Sequence, residues 1–368
     1  MILKHFSATN YRNLVTVNLD FSPNVNCLVG ANGMGKSNVL DAIYYLSFCR
    51  GFASVQDSAN LNHDADFFML EGDYELESGM KHHVNCAMKR GTRKRVKVDG
   101  KDLKRISEHV GRIPLVMIAP ADSALILGGS EDRRRFMDMV IMQYNTAYLE
   151  AIIQYDNALK QRNALLKMEQ ELDLAVMDVL EEMMSASGQV IYEARKQFVE
   201  EFLPIFLDLY RRLSGDSGAE EASIVYKSHG ERGELKAQLT AFREKERIVG
   251  YTLHGTHKDD LELLLNGFPV KREASQGQQK TFFISMKLAQ FVFLKGKGEH
   301  RVPLLLLDDI FDKLDSSRVA RIIDYVSGDT FGQIFITDTH REHLDSLLAL
   351  TKRDYKLFSV TDGEVVCE

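Results

Sequence analysis

Asn26-Cys27-Leu28-Val29-Gly30-Ala31-Asn32-Gly33-Met34-Gly35-Lys36-Ser37-Asn38 is the stretch on which the reading of this chain turns. Asn26–Val29 is apolar enough for a short strand. The eight residues from Gly30 fit G-x-x-x-x-G-K-[ST] without a gap, and Val39, Leu40, Ile43 and Tyr44 then share one helical face. Strand, glycine loop, Lys-Ser and amphipathic helix in that order is the context in which such a loop holds phosphate. Gly30, Gly33 and Gly35 allow backbone N–H groups to close around phosphate oxygens without Cβ clashes, with Ala31, Asn32, Met34 and Asn38 completing the cradle. The helix N-terminus adds its partial positive charge. In that role Lys36 reaches the β- and γ-phosphates of ATP, and Ser37 ligates Mg²⁺. A glycine-rich turn that merely enters a helix is the plain alternative; the strand, the Lys-Ser pair and the helix together weigh against it.

A second stretch supplies the acids such a loop needs. Val302-Pro-Leu-Leu-Leu-Leu-Asp308-Asp309 puts four leucines in a row, which suits an interior parallel strand buried on both faces. Carboxylates at the carboxyl end of such a strand sit where open α/β sheets bind ligands. Asp308 is expected to hold Mg²⁺ through its hydration shell and Asp309 to polarise the attacking water. Two adjacent acids can also simply begin a solvated loop. Lys36 and Asp308 lie 272 positions apart, far more than a minimal nucleotide-binding domain needs, and this implies a large insertion.

Composition sets the frame. With 368 residues, 45% of them hydrophobic and 27% charged, the chain reads as folded and long enough for two structural units. No run approaches the ~20 apolar residues of a membrane span. The four cysteines are scattered without metal-type spacing, and the N-terminus lacks a secretory layout, so a soluble protein of the reducing cytoplasm is expected. Strand-like sequence fills residues 1–118. From about Ser130 to Leu213 it gives way to long helical sequence, with a loop after Ser214. Strands are expected again at Gly250–His254, Leu261–Leu265, Leu304–Leu307, Ile334–Thr337 and Tyr355–Val360. The fold class that follows is α/β: a P-loop ATPase head of mixed sheet, made of residues 1–118 and 249–368, split by a mostly helical lobe at 119–248.

Ser275-Gln276-Gly277-Gln278-Gln279-Lys280 opens a further helix, with Ser275 as a good cap and Gly277 permitting close backbone approach. By itself this is a helix cap. With the first two motifs, it resembles the signature loop of ABC-type ATPases, which implies that Ser275, Gln276, Gly277 and Gln278 close over the γ-phosphate held by a second copy. Asp315 then matches the loop that crosses that dimer interface. On the same resemblance, Gln56 stands at a plausible Gln-loop distance as a metal-side residue, and His340 or Thr337 fills the sensor position.

The resemblance narrows further. Ala119–Asp138, with Arg133-Arg134-Arg135, looks like the first signature of the bacterial RecF recombination-repair family, and Leu306–Arg318 looks like the second. His254-Gly255-Thr-His257-Lys-Asp259-Asp260 and Asn10-Tyr-Arg12-Asn13 are similar to other segments of that family, and the match runs collinearly over nearly the whole chain. Arg12 thereby joins the nucleotide-binding residues. The resemblance implies a head related to those of Rad50 and the SMC proteins, with slow, DNA-dependent ATP hydrolysis and a homodimer formed around ATP. It also implies work with RecO and RecR in loading RecA at single-strand gaps, within the SOS response.

Lys89–Arg105 holds nine basic and two acidic residues in seventeen, against a net charge of −7 for the whole chain. A β-hairpin bearing Lys89, Arg90, Arg93, Lys94, Arg95 and Lys97 would meet DNA phosphates without reading bases. Aromatic residues are not interleaved there, so stacking on single strands finds no support. A solvated hairpin face is the alternative. Arg133–Arg135, near a helix start, could also meet phosphate, while some of them are expected to pair with acids such as Glu131 and Asp138. Two other functions stay open on sequence grounds: the energising subunit of an ABC transporter, and a P-loop kinase of small molecules.

Overall fold

The computed structural model describes all residues except 53–55, 170, 216–219, 299–300, 312–315, 329, 340 and 351–353; for 316, 327, 343, 346, 347, 349 and 350 it describes the backbone alone. Asp315 and His340 therefore lie outside the described residues. In chain order the elements begin with β1 (Ile2–Tyr11), β2 (Leu14–Asp20), β3 (Val25–Val29) and α1 (Lys36–Phe48). Then come β4 (Phe67–Glu75), β5 (Lys81–Lys89), β6 (Arg95–Val98), β7 (Lys101–Asp102) and β8 (Leu115–Ile118). Next are α2 (Ala124–Leu127), α3 (Ser130–Ile141), α4 (Thr146–Leu166), α5 (Leu174–Ser214), β9 (Ala222–Lys227) and α6 (Leu235–Val249). The chain continues through β10 (Asp260–Leu265), β11 (Phe268–Pro269), α7 (Val270–Glu273), α8 (Gln276–Lys297) and β12 (Leu304–Asp308). It finishes with α9 (Ser316–Ser327), β13 (Ile334–Asp338), α10 (Arg341–Leu350), β14 (Tyr355–Thr361) and β15 (Glu364–Cys367).

These elements form two compact units. The first comprises Met1–Ser123, Arg211–Ser214 and Lys280–Glu368; the second comprises Ala124–Tyr210 and Gly215–Gln279.

Two sheets make up the first unit. One has the order β2-β1-β4-β5-β6-β7, each neighbouring pair antiparallel. The other has the order β15-β14-β3-β13-β12-β8 and is parallel throughout, apart from the terminal β14–β15 hairpin. Its interior strands are short continuous apolar runs, all five residues of β12 and of β13 being buried, as expected of strands covered on both faces. Phe21 meets Phe335 and Phe358 edge-on, while Tyr11, Tyr45 and Phe68 form a second aromatic contact. Asp99-Gly100, both at positive φ, closes the tight turn from β6 into β7, with Val98 opposite Lys101.

The second unit departs from expectation in four ways. It extends to Gln279, so the signature-like helix start belongs to it and not to the C-terminal part of the head. Besides its helices it carries a sheet of order β11-β10-β9, because the alternating Ala222–Lys227 run pairs with Asp260–Leu265 and keeps that strand out of the head. Gly250–His254 is a turn, not a strand: Gly250 sits at φ 77° and caps α6, and Asn163 Oδ1 accepts hydrogen bonds from the Thr252 N–H and hydroxyl. Ala119–Ser123, expected in the lobe, stay with the first unit.

A buried polar network braces the second unit. Arg195 donates to Asp138 (2.8 Å), Asp259 (2.9 Å), the Tyr148 hydroxyl (3.0 Å) and the Thr256 carbonyl (2.9 Å). Asp259 also accepts from Tyr226 and Ser228. Arg133 forks onto Asp260 (2.7 and 2.9 Å), and Arg134 donates to the Asp259 carbonyl. These two arginines thus serve the Asp259-Asp260 segment, correcting the expected pairing with Glu131 and Asp138. The first signature and the His254–Asp260 segment are two halves of one packing arrangement.

Candidate nucleotide site

Gly30 follows β3 so closely against β14 that a Cβ there would stand 2.3 Å from the Val360 carbonyl oxygen. Gly35, at φ 112°, caps α1 in the left-handed conformation; no side chain caps that end and no acid sits in the first turn. The leading N–H groups of α1 therefore remain for an anion. Lys36 is buried, and its Nζ donates back to the carbonyls of Gly30 (2.7 Å) and Ala31 (2.9 Å), folding the ammonium across its own loop. Burial pulls its pKa below the ordinary lysine value, against Asp309, Asp308 and Asp338, of which Asp309 opposes most strongly.

The acids arrive on neighbouring parallel strands. Asp308 at the end of β12 is in register with Thr337 on β13, and Asp338 with Val29 at the end of β3. The Ser37 hydroxyl donates to Asp308 Oδ1 (2.8 Å), and Thr337 Oγ1 donates to the same oxygen (2.7 Å). Thr337 also accepts from the Asp309 N–H (3.1 Å). Asp309 turns out of the strand at φ 48°, a conformation rarely taken by residues with a Cβ. Four residues from three separate stretches of chain are thus linked by hydrogen bonds. Thr337 is fully buried, and its hydroxyl holds the Asp308 carboxylate and the Asp309 N–H in place.

Arg12 reaches the site indirectly. At φ 53° in the β1–β2 turn, its guanidinium contacts Asp41 (2.9 Å), Asn60 Oδ1 (2.9 Å) and Asn38 Oδ1 (3.2 Å). Asp41, on α1, also accepts from Tyr11 and from the Phe52 N–H. Sequence reasoning passed over the neighbouring brace. Asn13 Nδ2 donates to the Met34 carbonyl (3.2 Å) and Oδ1 accepts from Asn38 (2.7 Å), while the Gly363 N–H donates to that same Met34 carbonyl (2.8 Å). The Asp362-Gly363 turn signal between β14 and β15 was the available clue.

Other predicted residues lie apart. Gln56 is exposed just ahead of the 3₁₀ turn Asp57–Asn60. In the second unit, Ser275 and Gln278 form a reciprocal cap at α8: the Ser275 hydroxyl accepts from the Gln278 N–H (3.3 Å), and Gln278 Oε1 accepts from the Ser275 N–H (2.7 Å). Gln276 is exposed there and Gly277 is half-buried. On the basic hairpin, Lys89, Arg90, Arg93 and Arg95 are exposed and Lys97 is half-buried. Arg90 lies near Asp66 and Arg95 near Asp102. Lys94 is only 19% exposed and is held by Asp57 and the Cys49 carbonyl.

Among the described residues no cluster of three or more His, Cys, Asp or Glu side chains could hold a metal, and no helix is long and apolar enough to cross a membrane. A cation beside Ser37 and Asp308 would need further oxygen ligands from a bound nucleotide.

The model of the RecF/RecN/SMC N-terminal domain family matches residues 2–364. The chain is 52% identical over 365 residues to the DNA replication and repair protein RecF of Phocaeicola vulgatus, covering 99% of this chain and 98% of that one. To RecF of Porphyromonas gingivalis it is 46% identical over 366 residues, covering 99% and 100%. Among solved structures, the recombination mediator protein RecF with ATP, of the RecFOR pathway, superposes with a TM-score of 0.88 at 28% identity, covering 100% of this chain and 97% of that one. An Smc head bound to the C-winged helix domain of ScpA shares the fold, with a TM-score of 0.60 at 15% identity over 100% and 98% of the two chains. The fold is accordingly the α/β ABC-type ATPase head with a second lobe, and the chain belongs to the RecF family of DNA replication and repair proteins.

Proposed function

We propose that this chain binds ATP with Mg²⁺ at residues 30–38 and acts as an ATP-dependent DNA-binding clamp in recombinational repair. The observation that carries the reading is the hydrogen-bonded set Ser37–Asp308–Thr337–Asp309 beside an uncapped helix start. Mg²⁺ would be held by the Ser37 hydroxyl and, through water, by Asp308, and it supplies charge neutralisation on the phosphate oxygens. To bind phosphate, Lys36 gives up its bonds to Gly30 and Ala31 and turns its ammonium to the β- and γ-oxygens. Asn13 and Gly363 hold the Met34 carbonyl out of the cradle. Asp309 accepts a hydrogen bond from the attacking water; its side chain is one methylene shorter than the glutamate usual in ABC enzymes, which suits slow turnover.

Ser275–Gln278 of one copy would close over the nucleotide held by another, making the active form a homodimer. DNA, at gaps or junctions, would meet the basic hairpin. RecR, RecO and RecA are the partners that family membership suggests, in the cytoplasm, and the solved relative's place in the RecFOR pathway supports them. The transporter and kinase alternatives leave the chain-long RecF match without a role. Sedimentation with and without ATP tests the clamp. Wild type dimerises only with ATP, Lys36→Ala neither binds nor dimerises, Asp309→Asn stays dimeric, and Ser275→Arg binds ATP as a monomer. A wild type monomeric under every condition would refute it.

A further inference from the structure

The basic hairpin borders a groove of about 830 Å³ lined by Arg93, Lys94, Arg95 and Lys104, with Asp57 and Asp102 on its wall. Arg95 is neutralised by Asp102, whereas Arg93 and Lys104 make no ion pair among the described residues. Their placement suits phosphate oxygens along a strand. Lys94 is different in kind. Its Nζ donates to the Cys49 carbonyl (2.5 Å) and to Asp57 (3.1 Å), and lies 5.6 Å from the centre of the Tyr45 ring. The Tyr45 hydroxyl donates to that same Asp57 oxygen (2.8 Å). Tyr45 belongs to α1, Cys49 caps it in the left-handed conformation, and α1 carries Lys36 and Ser37 at its other end. Gln56 directly precedes Asp57.

We propose that the groove takes one phosphodiester strand of DNA, and that Lys94 is the positioning residue relaying its occupancy to the nucleotide loop through α1. The proposal rests on the ATP and DNA reading above. An ammonium has three N–H donors. The Cys49 carbonyl and both oxygens of Asp57, at 3.1 and 3.0 Å, engage it, and the side chain lines the groove. A phosphate placed there competes with Asp57 for one positive charge and draws the ammonium from the end of α1 and from the turn that follows Gln56. The contact between hairpin and helix thus has two arrangements, and both ligands bias the choice between them. Linkage then requires DNA to change nucleotide affinity by the same factor as nucleotide changes DNA affinity.

The experiment measures the dissociation constant of a fluorescent ATP analogue with and without saturating gapped duplex DNA, using the full-length protein. Wild type gives a ratio at least about fivefold from one. Lys94→Met, which removes the charge and keeps an unbranched apolar side chain, brings the ratio to about one. Asp57→Asn leaves the ammonium in the groove but breaks the relay; it loses the ratio as well and keeps the test open if Lys94→Met misfolds. Arg93→Gln weakens DNA binding, yet retains the ratio once DNA is saturating. If well-folded Lys94→Met or Asp57→Asn keeps the wild-type ratio, the relay is overturned while the clamp stands. A wild type whose nucleotide affinity ignores DNA overturns both.

Discussion

Thr337→Val removes one hydroxyl from the centre of the site and little else. The side chain is fully buried on β13, and valine keeps its volume, its branching at Cβ and its fitness for a strand. What disappears is the 2.7 Å bond to Asp308 and the acceptor for the Asp309 N–H at 3.1 Å. A buried hydrogen bond to a charged group contributes about 1.5–3 kcal/mol. Two features reduce the loss: Asp308 keeps the Ser37 hydroxyl at 2.8 Å, and the Asp309 N–H keeps the Thr337 carbonyl at 3.3 Å. A net cost of roughly 1–2 kcal/mol remains, about a tenfold change in any equilibrium that relies on Asp308 being held in place. The assay titrates Mg²⁺ at fixed ATP analogue and follows bound nucleotide. The midpoint should move to about tenfold higher Mg²⁺ in Thr337→Val and return with Thr337→Ser, which restores the hydroxyl. A valine variant with the wild-type midpoint would refute the claim that this threonine orients the acids.

Two further predictions concern the second unit. Arg195→Met should destabilise by about 3–5 kcal/mol in urea unfolding, because Asp259, fully buried, then keeps only its hydroxyl donors; a loss under 1 kcal/mol would deny the network its bracing role. Burial lowers the pKa of His257 from 6.5 to about 4, with Tyr155 donating to Nδ1 and Nε2 donating to the Thr252 carbonyl. Because the unfolded chain takes up this proton first, the contribution is complete above pH 6.5 and fades as pH falls through about 4. It amounts to roughly 3 kcal/mol. Unfolding measured across that range should flatten in His257→Gln, and an unchanged pH slope would exclude this histidine as the source.

Residues 26–38 and 302–309 were legible because each side chain there has one physical task that its type announces: glycine for a tight loop, four leucines for a strand buried on both faces, acids at the strand end. The bond that joins the two stretches, Ser37 to Asp308, and the hold of Thr337 on the two acid positions were invisible, since a threonine inside an apolar run looks like any other strand residue. The boundary of the second unit was misplaced for a related reason. Leu261–Leu265 has the alternation of a half-buried strand, and only its partner, Ala222–Lys227, decides which sheet it joins. Lys94 shows the limit of reading charge from composition. In a run of nine basic residues it looks like its neighbours, yet a carboxylate and a helix end hold it inward.

β3 lies between β13 and β14, and the Met34 carbonyl is held by Gly363. As the chain leaves the ribosome, the glycine loop emerges roughly 300 residues ahead of the two strands that flank it and the turn that steadies it. A nascent molecule therefore carries an unfinished pocket until those strands have followed. Binding competence arrives late and all together, so a prematurely terminated product would display the phosphate motif in full and still lack the walls that make it a receptor.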